Sequence, residues 1–136
     1  NSAGETFVTF NANYCYWRLA DIYLLRAECY AKLGDSRAKD DLNKIRERAK
    51  ADAYPAAGDG DLQYAIFKER EKELIAEGHR YYDVIRNGYF KTELSPAFSR
   101  LSDDDVQDGA LFLPISSTAQ TMNDLIRQNR YWSKFF

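Results

Sequence analysis

Between Trp17 and Ala51 the sequence spells two helices joined by Gly34-Asp35, a connection so short that the helices must lie antiparallel and side by side. Ala20, Tyr23, Leu24, Ala27, Tyr30 and Ala31 recur at intervals of three and four, which gives a broad apolar face over 17–33. Only Arg18, Asp21, Glu28 and Lys32 form a polar stripe, so this helix is expected to be buried on most sides. Gly34 suits the stop position and Asp35 or Ser36 the following N-cap. Ala38, Leu42, Ile45 and Ala49 then make a single thin stripe, the pattern of a surface helix laid against the first.

Helix, tight turn and helix at 17–51 resemble one tetratricopeptide unit, yet no second copy follows. Stacked repeats bury their faces on neighbours, so part of the first helix is expected to stay bare. Such a chain should then associate with itself or another chain unless the tail covers the gap. Residues 1–13, with Phe7, Val8 and Phe10, read as an irregular lead-in, and Pro55, Gly58 and Gly60 mark a loop before a cap at Asp59 or Asp61. A third helix is expected over Leu62–Glu77, interrupted by Gly78, and a short fourth over His79–Asn87. Residues 88–110 read as one long loop, a length usual for functional or partner-covered segments. Leu111–Ile115 suggests an extended piece, and Ser116 or Ser117 a cap for a brief helix to about Ile126. The end, Tyr131, Trp132, Phe135 and Phe136, is an aromatic tail suited to a groove. The expectation is an all-α chain: a tetratricopeptide-like helix pair (17–51), a charged helix with a short one (61–87), and loops with an aromatic tail (88–136), within one domain or fragment.

Composition excludes several function classes. Lys plus Arg number 19 against 21 Asp plus Glu, a near balance that offers no basic field for nucleic acid. No apolar run approaches the ~20 residues of a membrane span, and Asn1 opens no secretory signal. Cys15 and Cys29 on one helix would lie about 20 Å apart, beyond the ~7 Å limit for a disulfide; free, mostly buried thiols are expected.

The sharpest candidate for chemistry is Glu69, Glu73 and Glu77, one helical turn apart and continuing the stripe of Leu62 and Ile66. A glycosidase needs carboxyls on both sides of the scissile bond, whereas these project from one side of one helix. Di-metal bundles need Glu-x-x-His on two helices, and the single histidine, His79, follows Glu77 by two. The stripe instead reads as an ionic cluster answered by arginines, with Arg18, Asp21, Glu69, Glu73, Glu77 and Arg80 expected together between helices. Ser116, Ser117 and His79 make no nucleophile elbow, the glycines make no phosphate loop, and Cys15 has no visible base. No catalytic residue, metal or cofactor is therefore expected. Tyr89, Phe90, Tyr131 and Trp132 have faces on which a sugar would stack, but capping a core is the simpler role.

Three segments carry a resemblance. Arg18-Leu19-Ala20-Asp21-Ile22-Tyr23-Leu24-Leu25-Arg26-Ala27-Glu28 resembles R-L-A-D-x-x-L-x-x-A-E, and Leu42-Asn43-Lys44-Ile45-Arg46-Glu47-Arg48-Ala49 resembles L-N-x-I-R-x-R-A. The run Glu69 to Arg86 is similar to E-R-x-x-E-L-x-x-E-G-x-R-x-x-D-x-x-R, the most specific of the three. All belong, in this order, to the C-terminal part of the SusD/RagB family of outer-membrane nutrient-binding lipoproteins. Asn123, Ile126, Gln128 and Asn129 resemble its terminal N-x-x-L-x-Q-N, although Ser116 and Arg130 stand where prolines are usual and Ala119 where Glu is usual.

The resemblance implies a mostly helical, tetratricopeptide-like fold and a lipid-anchored, surface-exposed place on the outer membrane. It implies a TonB-dependent, SusC-like porin as partner and an oligosaccharide or other nutrient as ligand of the longer protein, of which this chain would be a C-terminal piece without the anchor. Glycan contacts in that family come largely from segments absent here, so no ligand-binding residue is carried over. A peptide-binding tetratricopeptide adaptor is the other reading; it would require further repeats and a concave polar face.

Overall fold

The computed structural model describes residues 16–135. The expected lead-in at 1–13, Cys15 and the last ring of the tail, Phe136, lie outside the described residues. Among the described residues all regular structure is helical, with no strand, and the chain divides between His79 and Arg80 into two compact units. The division falls inside the 61–87 segment rather than at its end.

The first unit is a triad of helices. Its first helix, α1, spans Leu19–Lys32. It closes as its sequence suggests: Gly34 adopts φ +71°, and the Asp35 amide donates back to the Tyr30 carbonyl at 2.9 Å, a left-handed glycine stop. The Asp35 carboxylate then accepts from the Arg37 amide at 2.9 Å and from the Arg37 guanidinium at 2.6 Å, fixing the start of α2, Arg37–Arg48. Ala20, Leu24 and Ala27 of α1 pack with Ala38, Leu42 and Ile45 of α2 and with Ala65 and Ile66 of the third helix. Alanines at the contacts let the helix axes approach closely. The fully buried Leu24, Leu42 and Ile66 each contribute roughly 1.5–3 kcal/mol of transfer free energy. Ala49, expected on the α2 stripe, is exposed instead, because the helix stops at Arg48 and Lys50 turns the chain at φ +56°.

Two expectations for α1 are corrected. Of the narrow polar stripe, Asp21 and Glu28 are buried, 1% and 4% exposed. They face arginine and lysine partners, so the polar positions point inward while Leu19, Ile22 and Leu33 are exposed. The helix is therefore covered on one side, not on most sides. Cys29, expected to be buried, is exposed on that open side.

A loop leads from α2 to α3, held by the Tyr54 amide donating to Asn43 Oδ1 at 2.7 Å. Asp61 caps α3, its carboxylate accepting from the Tyr64 amide at 2.8 Å. This helix runs Leu62–Glu73, four residues short of the expected Leu62–Glu77. Leu74 is buried as its C-cap and Ala76 takes φ +64°, so residues 74–78 form a tight turn and Glu77 stands on it.

The second unit opens with α4, Arg80–Asn87. The segment 88–110, read as one long loop, holds three short helices: α5 Phe90–Glu93, α6 Pro96–Ser99 and α7 Asp103–Gln107. Their start signals are chemical rather than periodic. Pro96 sits at the first turn of α6. Ser102 and Asp105 form a reciprocal capping box, which places the acidic run Asp103-Asp104-Asp105 over the unsatisfied amides of α7. Residues 111–115 are a turn and irregular chain instead of an extended strand. Ser116 caps α8, Ser117–Met122, which ends four residues before the expected Ile126. A single 3₁₀ turn, Trp132–Lys134, closes the described chain.

Candidate functional site

Of the six residues expected in one cluster, Arg18, Asp21, Glu69, Glu73 and Glu77 fall on separate guanidinium-carboxylate contacts of the first unit, and Arg80 lies in the second. Arg18, at the N-cap of α1, makes no cap. Its Nε donates to both Glu77 oxygens at 2.9 Å, and its terminal nitrogens reach the Glu73 carboxylate and the Glu73 carbonyl. Arg48, from the end of α2, donates to the same Glu73 oxygen. One carboxylate on α3 thus joins the ends of α1 and α2. Glu77 takes part from the turn after α3, not from the helix face on which the spacing had put it.

Deeper in the unit, Arg46 donates to Glu69 at 2.9 Å and, through both terminal nitrogens, to Asp59 at 2.8 and 2.7 Å. Its side chain is only 3% exposed, and Asp59 also accepts from the Ala56 amide at 2.7 Å. This one guanidinium connects α2, the 50–60 loop and α3. Asp21 pairs with Arg70 at 2.8 Å, each side chain 1% exposed, and Arg70 also donates to the Asp21 carbonyl at 3.2 Å. Arg26 grips Asp41 through two hydrogen bonds of 2.7 and 2.8 Å. Arg80 belongs to the second unit, where it donates to the Glu93 carbonyl at 3.0 Å and to its carboxylate at 3.4 Å.

These contacts decide what the carboxylates can do. The Arg46 guanidinium holds Asp59 at about 2, and Arg18 pushes Glu77 below the usual carboxylate range. A general acid in glycoside hydrolysis needs the opposite, a carboxyl kept protonated near neutrality. The arginines are stabilised in turn: Arg18 is raised by Glu77 and then Glu73, Arg46 chiefly by Asp59. Among the described residues no three His, Cys, Asp or Glu side chains are grouped to hold a metal ion. In a cleft of about 380 Å³, Arg46, Asp59 and Glu69 are bonded to one another and Glu73 is bonded to Arg18 and Arg48.

The second unit contains the aromatic residues singled out by sequence, Tyr89, Phe90, Tyr131 and Trp132. Tyr81 donates its hydroxyl to the Leu111 carbonyl, and Trp132 donates its indole N–H to the Phe112 carbonyl at 2.6 Å. With both polar tips tied to backbone, Tyr81, Phe98, Phe112, Tyr131 and Trp132 line an apolar cavity of about 350 Å³. The tail is brought there by amides whose role sequence reading missed. Gln128 donates to the Ile115 carbonyl at 3.0 Å and accepts from the Ile115 amide at 3.2 Å. Asn129 donates to the Gly109 carbonyl at 3.1 Å and accepts from the Trp132 amide at 2.9 Å. The signal was the adjacent Gln128-Asn129 pair, two side chains each able to donate and accept.

A family model described as the SusD family, SusD_RagB, matches residues 2–132. The chain belongs to that family. Two SusD-like proteins of Formosa agariphila, P25 and P38, are 43% and 34% identical to it over 56% of this chain. The matches span 15% and 17% of those relatives' own lengths. The crystal structure of a SusD homologue from Bacteroides thetaiotaomicron superposes with a TM-score of 0.73 at 36% identity, covering 88% of this chain and 26% of that one. A SusD superfamily protein from the same organism gives 0.68 at 34% identity over the same shares. SusD homologues are all-α and tetratricopeptide-like, as the α1–α2 pair is here. The three SusD motifs now have places in the fold: the first supplies Arg18 and Asp21, the second Arg46 and Arg48, and the third Glu69, Arg70, Glu73 and Glu77. Each motif carries charges that close on another.

Proposed function

We propose that this chain is the structural, C-terminal part of a SusD-type nutrient-binding accessory protein, which captures glycans or other nutrients at the outer membrane and hands them to a TonB-dependent, SusC-like porin. The observation that carries the reading is the family match over nearly the whole chain, together with three motifs spent on mutual ion pairs. A family of nutrient-binding proteins supplies the class of activity. The ligand surface belongs to the longer protein, because the charged residues here are consumed in holding helices. No helix among the described residues is long and apolar enough to cross a membrane; outer-membrane attachment through a lipid anchor is part of the proposal.

The protein binds without hydrolysing, since Asp59 and Glu77 are held ionised by arginines and are poor proton donors at neutral pH. The experiment is a panel of polysaccharides offered to the complete gene product, with binding read by calorimetry and cleavage by release of reducing ends. Binding of at least one glycan or nutrient with no reducing ends is expected, and the porin should co-purify from outer membranes. Release of reducing ends by purified protein would overturn the reading.

A further inference from the structure

The apolar cavity of the second unit differs in wall chemistry from the other clefts of the molecule. It lies wholly within that unit, and among the described residues no Asp, Glu, Lys, Arg or His lines it, in a chain that is 29% charged. Three other clefts each have an arginine in the wall, Arg46, Arg86 or Arg18. Here the wall holds the rings of Tyr81, Phe98, Phe112, Tyr131 and Trp132. It is also set in advance. Tyr81 from α4 and Trp132 from the tail donate to the neighbouring carbonyls of Leu111 and Phe112, so two distant segments clamp one short piece of chain and little ordering is left for a ligand to impose.

We propose that this cavity binds a single uncharged aromatic ring bearing at most one hydroxyl group. Its volume of about 350 Å³ is at the lower end for a ligand pocket, and an apolar cavity of about 150 Å³ suffices for benzene, so one ring with a substituent fits. A charged group would lose its hydration and meet no partner in the wall. A pyranose fits poorly as well, because each of its several hydroxyls needs a donor or acceptor once buried. The lining side chains offer three polar groups, and two of them, the Tyr81 hydroxyl and the Trp132 indole N–H, are spent on backbone carbonyls. The Tyr131 hydroxyl makes no hydrogen bond among the described residues and is left for one ligand hydroxyl. An aromatic ring needs no more, and it joins rings already arranged edge to face, Tyr131 and Trp132 standing 5.0 Å apart at 86°. The ring can belong to a free phenolic compound or to an aryl substituent on a glycan.

Ligand-observed fluorine NMR on the complete gene product tests this with 4-fluorophenol, fluorobenzene and 4-fluorophenyl glucoside. 4-Fluorophenol should bind with a dissociation constant of about 1 mM or tighter, and methyl glucoside should not displace it. Ala97 stands in the wall and is exposed, so Ala97→Phe fills the cavity without entering the buried core and should weaken binding roughly tenfold. Tyr131→Phe should abolish a roughly fivefold preference for 4-fluorophenol over fluorobenzene while fluorobenzene binds as before, a split that a damaged fold would not produce. A glucoside that binds as well as the phenol assigns the ring to a glycan substituent, and one that is excluded assigns it to a free compound. No binding of 4-fluorophenol, its displacement by methyl glucoside, or equal affinities in all three proteins overturns the proposal. Polysaccharide capture is measured separately, so failure of the functional reading leaves this result standing.

Discussion

Glu73 accepts from Arg18 and Arg48 at once, and its side chain is only 10% exposed. Glu73→Ala leaves two cations facing a vacated site and should lower unfolding free energy by about 3 kcal/mol, the lower end for a broken buried pair. Asp35 and Arg37 pair in the open at 2.6 Å, and disrupting them through Arg37→Ala should cost much less, because solvent screens an exposed pair. Urea titrations of the two variants compare them directly; equal losses would contradict the ranking. Asp59 sets the acid limit of the same network. Its pKa falls from an ordinary 3.8 to about 2 in the folded state, chiefly through the Arg46 hydrogen bonds. A depressed folded value means that the stabilisation is fully present above the unfolded value and is lost as pH falls from about 4 towards about 2. Melting temperature should therefore drop across that window, and Asp59→Asn should show a lower plateau with a shallower drop. A melting temperature that rises on acidification would refute the assignment.

At the scale of elements, stop and cap signals were the legible part. Gly34 ends α1, Asp61 starts α3, and Ser116 starts α8, all as side-chain chemistry dictates. Helical periodicity located α1 and α2 and their inward apolar faces, but spacing does not show the whole burial pattern, because Glu28 reads as a surface residue until its lysine partner is known. The end of α3 was overrun for a similar reason: Glu69, Glu73 and Glu77 keep a helical spacing although the backbone has already turned at Leu74. The three short helices of 88–110 are too brief for any period to register, and only their caps announce them. Gln128 and Asn129 act through loop carbonyls, a pairing that spacing alone does not reveal. One consequence is testable at Gly109, which has φ +99° and where an added Cβ would stand 3.0 Å from the Asn129 amide. Gly109→Ala should undock the tail and weaken the near-ultraviolet dichroism of Trp132, while the far-ultraviolet helix signal is nearly unchanged. An unaltered aromatic spectrum would show that Asn129 does not hold the tail.

For the whole molecule, the family's charged motifs act as a frame. Arg18 and Asp21 come from the first motif, and their partners Glu73, Glu77 and Arg70 from the third, about fifty residues on. Contacts at this separation hold a tertiary arrangement rather than a single helix, consistent with carboxylates that are bonded and acid-poor instead of poised for chemistry. The most direct test is a double-mutant cycle on the fully buried Asp21–Arg70 pair, using Asp21→Ala, Arg70→Met and both together, read by urea unfolding. Each single change should cost about 3–5 kcal/mol by stranding a buried charge, and the double change should cost far less than the sum, with a coupling near 3 kcal/mol. Additive losses with no coupling would contradict the claim that these motifs exist to join one another.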